Sequence, residues 1–309
     1  MTIGERNLII GGSAKCGTTS LFRYLGAHPA VCLSSTKEAS FFYEHQNLES
    51  SALRNRYRKL FPTENAQTTL FVEASPTYLH GGQRIAEHIH RIFPNALLLF
   101  LLRNPARRLT SHYKSRFGQL DSHVGLTVFD SFVRLGRDSH GATTGTPTRR
   151  QGAFRQEFTM GRYADFLPSF LKVFGVSRVG IFFFEDMVAD TRRFINSACD
   201  FVGLDREPYT DYDFTVENKT RYHRSASLRE IATYFNERFE PFLNQTPIAR
   251  RSLRWIYNLA NSKSGDEITI DSKAYNAVVE YYQEPNRRLA ELLKETYPDK
   301  ELPEWLHKQ

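Results

Sequence analysis

Apolar and polar positions follow two rhythms along this chain. Asn7–Ile10 is a short apolar run, β-branched at two positions, that stops at Gly11-Gly12. Small and polar residues follow, and then Leu21, Phe22, Tyr24 and Leu25 recur at helical spacing. The pattern predicts strand, glycine-rich turn, helix. Beyond Pro29, Ala30–Leu33 reads as a second strand, Ser51–Leu60 as a helix and Leu70–Val72 as a third strand. Gln83–Phe93 repeats Ile85, Ile89 and Ile92 at helical spacing. Ala96–Leu102, ALLLFLL, is apolar on both faces, as a central parallel strand is. It runs into Arg103-Asn104-Pro105, and Pro105 suits the first turn of a helix reaching about Lys114.

The alternation continues further along. Gly161-Arg162-Tyr163 opens an amphipathic helix bearing Phe166, Leu167, Phe170 and Leu171. Arg178–Phe184 is another buried strand, and Asp190–Val202 another helix. Gly136–Gly152 has no apolar period and reads as a long loop, a lid or disordered segment. From about Leu228 the chain reads as helical, with a long helix from about Tyr275 to Glu295. Strands alternating with helices predict an α/β fold with a central parallel sheet flanked by helices. No repeat or boundary divides residues 1–309, so a single domain is expected, mainly helical from about residue 225.

Composition narrows the function classes. Of 309 residues, 40% are hydrophobic and 24% charged, with 24 Phe and 15 Tyr, enough for a large core. The net charge of +7 suits a polyanionic small ligand or an acidic substrate, and is too dispersed to argue for nucleic acid. Three scattered cysteines, Cys16, Cys32 and Cys199, make neither a disulfide framework nor a zinc pattern. The longest apolar run is Ala96–Leu102, against the roughly 20 residues of a membrane span. With no signal-peptide pattern at MTIGERNLIIGG, the expectation is a cytoplasmic protein without a membrane span. Arg250–Trp255 is a basic stretch that would touch a membrane or an acidic substrate, or simply form a solvated helix face.

The candidate chemistry sits at predicted strand ends. Gly12, four residues, then Gly17-Thr18-Thr19 has the outline of a phosphate-binding loop. Thr18 stands where a nucleoside-triphosphate loop needs its lysine, and the lysine is instead Lys15, inside the turn. Such a loop can face a group on a 5′-phosphate without a metal. Cys16 within it is either an activated thiol or a small filler. Lys37-Glu38 follows the second strand, and ligands of open parallel sheets bind beyond strand C-termini. Glu38 is a candidate general base or a surface carboxylate paired with Lys37. Arg103, with Ser111 two turns into the next helix, makes a second anion site. Glu185-Asp186 has a superficial likeness to the metal-binding acid of a nucleotide hydrolase.

Two anion sites at adjacent strand ends fit a nucleotide phosphorylated at both 5′ and 3′ positions. At these residues the sequence resembles a known family. GGSAKCGTTSL is similar to the 5′-phosphosulfate loop of sulfotransferases, and LLFLLRNPARRLTSHY to their 3′-phosphate motif. LSSTKEASFF, GRYADFL and FFFEDMVADT resemble segments of the Golgi carbohydrate type, the heparan sulfate sulfotransferases and their bacterial relatives, over roughly residues 7–202. The resemblance implies a P-loop-like three-layer fold with 3′-phosphoadenosine 5′-phosphosulfate as donor and no metal. It implies that Ala14, Lys15, Cys16, Gly17, Thr18, Thr19 and Ser20 hold the 5′-phosphosulfate, and Arg103 and Ser111 the 3′-phosphate. Arg221 and Arg224 would close over the nucleotide, and Lys37, Ser40 and Glu73 would contact the acceptor.

Glu38 would be the base and Lys15 the stabiliser of developing charge, while the acceptor would offer a hydroxyl on a carbohydrate or glycosylated small molecule. Ser40 departs from the histidine found there in some relatives. The cytosolic branch uses a histidine base, so His80 and His112 remain alternatives to Glu38. The competing readings are a P-loop kinase or nucleotide hydrolase, a sulfotransferase of non-sugar metabolites, and a non-catalytic anion-binding protein.

Overall fold

Leu97–Leu102 holds the middle of the molecule. In the computed structural model Leu99 and Leu101 face one side of a sheet, and Leu98, Phe100 and Leu102 the other, all fully buried. Strand alternation with both faces apolar is what burial between two helical layers requires. The structure describes residues 6–45, 50–62, 64–117, 133, 155–214, 222–223, 262–263 and 272–307.

The sheet strands are β1 (Arg6–Gly12), β2 (Val31–Leu33), β3 (Leu70–Ala74), β4 (Leu97–Leu102) and β5 (Val179–Phe183). Their order is β2-β3-β1-β4-β5, with every pairing parallel. The helices are α1 (Thr18–Gly26), α2 (Phe41–Glu44), α3 (Ser50–Arg58), α4 (Gly82–Ile92), α5 (Pro105–Phe117), α6 (Leu167–Phe174), α7 (Phe184–Ala189), α8 (Thr191–Val202) and α9 (Ser272–Thr296). On one face α1 and α8 pack Leu21, Leu25, Ile195 and Val202 against Leu8, Ile10 and Leu99. On the other, α4 and α6 pack Ile85, Ile89 and Phe170 against Ile9, Leu98 and Phe100, joined by Leu289 and Leu293 from α9. This is the P-loop-like three-layer α/β fold expected from the sequence.

The chain runs outward from β1 to β2 and β3 on one side, then crosses to β4 and β5 on the other. Ligand crevices of open α/β sheets form where strand order reverses, beyond the strand C-termini. Here that places the glycine turn after β1 beside Arg103 after β4.

Two expectations change in detail. The stretch from Gly161 opens as a 3₁₀ turn at Tyr163–Asp165, and the helix proper begins at Leu167, with a proline in its first turn. Ser262–Lys263 (β7) pairs antiparallel with Tyr222–His223 (β6), inside a region expected to be loop and helix. Neither pair carries a helical apolar repeat. The loop 136–152, the helix expected from Leu228, the stretch Arg250–Trp255, and Arg221 and Arg224 lie outside the described residues. Among the described residues no helix is long and apolar enough to cross a membrane.

Candidate active site

β1 feeds its chain into a turn fastened to the neighbouring strand, with Ser13 N–H donating to Leu101 O at 2.7 Å. Lys15 then takes φ 67° and Gly17 φ 88°. A left-handed residue with a side chain costs roughly 1–2 kcal/mol. Among the described residues the only non-glycines with positive φ are Lys15, Glu38 and Ser40, and all three are candidate site residues. Strain of this kind concentrates where function over-determines the backbone. At Gly17 a Cβ would lie 2.4 Å from Met187 Cε and 2.8 Å from the Phe184 ring, so the position has no room for a side chain. α1 starts at Thr18 with no capping side chain and no acidic residue in its first turn. The leading amides of Thr18, Thr19 and Ser20 therefore present partial positive charge, an anion seat.

Arg103 joins this turn directly. Its Nη1 donates to Lys15 O at 3.1 Å, and its guanidinium lies 4.4 Å from the centre of the Phe184 ring. Burial lowers the pKa of Lys15, and the Arg103 charge lowers it further, while Glu38 and Glu157 pull it back up. Burial likewise lowers the pKa of Arg103. Two partly desolvated cations crowded together gain from a bound polyanion. Tyr163, fully buried, donates its hydroxyl to Arg103 O at 3.0 Å and lies 3.8 Å from Cys16 Sγ, so one phenol braces both motifs.

Other candidate residues fall into place around this pair. Cys16 is fully buried, burial pushes its thiol up to about 11, and its amide bonds Ser13 O at 3.3 Å. It is the loop filler, not an activated thiol. Ala14, Thr19 and Ser20 are half-buried and Thr18 buried. Ser111 is half-buried on α5, one turn beyond the exposed Arg107. Asn104 caps α5, its Oδ1 accepting from the amides of Ala106 and Arg107, and Glu185 Oε1 accepts from Asn104 N–H at 3.0 Å. One oxygen of Glu185 is thus engaged in holding the Arg103 turn.

Glu38 stands at the same edge. Its side chain is 61% exposed and pairs with Lys37 Nζ at 2.6 Å. It also acts on Lys15 electrostatically. Its amide donates to Ala74 O at 2.8 Å, and the Ser40 amide to Ser75 Oγ at 3.0 Å. Glu73 is fully buried, so its carboxylate lies behind the crevice surface, and burial pushes it up to about 7. His80 Nε2 lies 3.0 Å from Met160 O, and burial lowers its pKa to about 4. His112 Nδ1 lies 3.3 Å from Glu157 Oε2, which is also 3.5 Å from Nη1 of the buried Arg108.

Tyr163, Phe184, Glu157 and Arg108 were not singled out by sequence reasoning. The first two lie in the GRYADFL and FFFEDMVADT segments, where the signal existed as motif without a role. No local signal marks the ion pair of Arg108 and Glu157, since its members come from separate segments.

The chain is 25% identical over 210 residues to a bifunctional heparan sulfate N-deacetylase/N-sulfotransferase 1 of Caenorhabditis briggsae, covering 66% of this chain and 23% of the relative. To the Homo sapiens protein of the same description it is 22% identical over 304 residues, 97% of this chain and 30% of the relative. The chain thus spans less than a third of these curated relatives. The crystal structure of a sulfotransferase from Alicyclobacillus acidocaldarius superposes with a TM-score of 0.51 at 24% identity, over 88% of this chain and 99% of that one, a likeness of fold. The turn around Lys15, the Arg103 motif and β5 all fall within residues 5–231, which match the family model described as sulfotransferase domain, and the chain belongs to that family.

Proposed function

We propose that this sulfotransferase moves the sulfuryl group of 3′-phosphoadenosine 5′-phosphosulfate to a hydroxyl of a carbohydrate or glycosylated small molecule. The observation that carries the reading is the Arg103 guanidinium bonded to the carbonyl of Lys15. It joins the two anion-binding motifs at neighbouring strand ends, as a donor with both 5′ and 3′ phosphates requires. The uncapped start of α1 fits that charge, as do Lys15, its pKa lowered by burial and by Arg103, and Arg103, its pKa lowered by burial. Thr18, Thr19 and Ser20 amides with Lys15 would hold the phosphosulfate. Arg103, Ser111 and Arg107 would hold the 3′-phosphate, and Arg221 and Arg224 would close over it.

In the proposed reaction the acceptor oxygen attacks sulfur in line while the bond from sulfur to the bridging phosphate oxygen breaks. The acceptor proton passes to Glu38, and 3′-phosphoadenosine 5′-phosphate leaves. Lys15 stabilises charge growing on the bridging oxygen, an effect typically of order 10² to 10³ in rate. General-base action by Glu38 is typically worth of order 10² to 10⁴. Its exposure leaves it accessible to an acceptor, whereas His80 is buried against Met160. The carbohydrate class is supported by the heparan sulfate relatives, and the same reading takes residues 1–309 as one domain. The test is donor consumption with oligosaccharides whose only nucleophilic groups are hydroxyls. Glu38→Gln should lower transfer by about 10² to 10⁴ while keeping nucleotide binding. Transfer at the native rate in that variant would remove Glu38 from the role.

A further inference from the structure

The loop that carries Glu38 holds the chain in two left-handed non-glycine conformations, φ 64° at Glu38 and φ 49° at Ser40. Something must hold it there. Behind it lies Glu73, at the end of β3 and fully buried. Glu73 Oε1 accepts from two hydroxyls, that of Ser75 and, at 3.4 Å, that of Tyr78. Each hydroxyl in turn accepts a backbone amide of the loop, Ser40 N–H at 3.0 Å and Phe42 N–H at 3.3 Å. One carboxylate oxygen therefore fixes the direction of two hydroxyls, and the hydroxyls fix the amide of Ser40, within the bend, and that of Phe42, just after it.

Ser75 and Tyr78 are themselves fully buried, which shields these bonds from bulk solvent. Lys37, beside Glu38, faces Glu73 from the loop, and Tyr57 faces it from α3. Both hydroxyls donate to Glu73 Oε1 and accept a loop amide, while Glu73 Oε2 has no hydrogen-bond partner among the described residues. Buried hydrogen bonds chained in this way favour one arrangement of the backbone they hold.

We propose that Glu73 is a positioning residue for the acceptor-activating carboxylate, acting through Ser75 and Tyr78 on the loop 38–42. The inference rests on the reading of Glu38 as base. A displacement of about 1 Å in a catalytic group can cost on the order of 100-fold in rate, so the anchor matters without touching substrate.

The test compares Glu73→Leu, which removes the acceptor at similar volume, with Glu73→Gln, which keeps an accepting oxygen. Three quantities are read: amide exchange at Ser40 and Phe42, affinity for 3′-phosphoadenosine 5′-phosphate, and sulfuryl transfer to the hydroxyls of a heparosan oligosaccharide as probe. In Glu73→Leu, exchange at the two amides should rise at least about 10-fold while exchange in β1 and nucleotide affinity stay within about 2-fold of native. Transfer should fall about 10- to 100-fold through kcat. Glu73→Gln should recover most of each loss. Native exchange at Ser40 and Phe42 in Glu73→Leu overturns the proposal, as does a parallel loss of nucleotide binding, or a glutamine variant as impaired as the leucine one. A native protein that binds no bisphosphate condemns the sulfotransferase chemistry instead, and the exchange arm still decides the anchoring.

Discussion

Replacing Gly17 by alanine tests the architecture of the anion seat, and Gly203→Ala supplies its control. Both residues occupy the left-handed helical basin, Gly17 at φ 88°, ψ 10° and Gly203 at φ 61°, ψ 47°. Alanine at either site carries the conformational penalty of that basin, roughly 1–2 kcal/mol. The surroundings differ. At Gly203, which ends α8, the nearest atom to an added Cβ is Nη2 of Arg6 at 2.9 Å, the far end of a flexible side chain that can swing away. At Gly17 the Cβ would meet Met187 Cε at 2.4 Å and Phe184 ring atoms at 2.8 and 3.0 Å. Met187 Cε ends a flexible but buried side chain, whereas the Phe184 ring lies against the Arg103 guanidinium and cannot give way without disturbing that contact.

Overpacking of this kind typically costs about 1–3 kcal/mol. Gly17→Ala should therefore destabilise by about 2–5 kcal/mol in urea denaturation and Gly203→Ala by about 1–2 kcal/mol. Only the first should also weaken binding of 3′-phosphoadenosine 5′-phosphate, because Phe184 and Arg103 shift together. Equal destabilisation by the two variants, with nucleotide affinity untouched in both, would refute the reasoning.

Further outcomes follow from individual side chains. Because burial raises the Glu73 carboxyl from 4.5 to about 7, the folded protein binds that proton more tightly than the unfolded chain does. The stability this group lends is complete below about pH 4.5 and is lost as pH rises through about 7, some 3 kcal/mol in all. Glu73→Gln should flatten the pH profile of stability over that window, and a native-like slope in the variant would contradict the assignment. Cys16, buried with its thiol held up near 11, should resist alkylation in the native protein at pH 8 and react on unfolding. Lys15→Met should lower transfer by about 10² to 10³. It should cost little stability, since burial and Arg103 already disfavour the charge, as urea denaturation would show. Arg108→Met leaves Glu157 without its buried partner and should destabilise by about 3–5 kcal/mol in the same measurement.

Much of this was readable in the chain because it is local. The apolar run at 96–102, ended by Arg103-Asn104-Pro105, specifies a two-faced strand, a turn and a helix start, and β4 and α5 are those elements. Lys15 displaced into a glycine turn distinguishes this loop from a nucleoside-triphosphate one before any contact is known. The bonds that assemble the site are not local. Arg103 reaches Lys15 across 88 positions, Tyr163 reaches Arg103 across 60, and the Ser75 and Tyr78 hydroxyls reach the loop across 35 and 36. No periodicity encodes such distances. Lys37-Glu38 was ambiguous for a physical reason: the same carboxylate pairs with its neighbour and acts electrostatically on Lys15.

The most direct measurement is calorimetric titration with 3′-phosphoadenosine 5′-phosphate in a chelating buffer, beside adenosine 5′-phosphate and ATP with Mg²⁺. The account predicts metal-independent binding that requires the 3′-phosphate. Arg103→Ala should weaken it about 10- to 100-fold, the worth of one or two charge-assisted hydrogen bonds. Equal affinity for adenosine 5′-phosphate, or binding only of ATP with Mg²⁺, would contradict it.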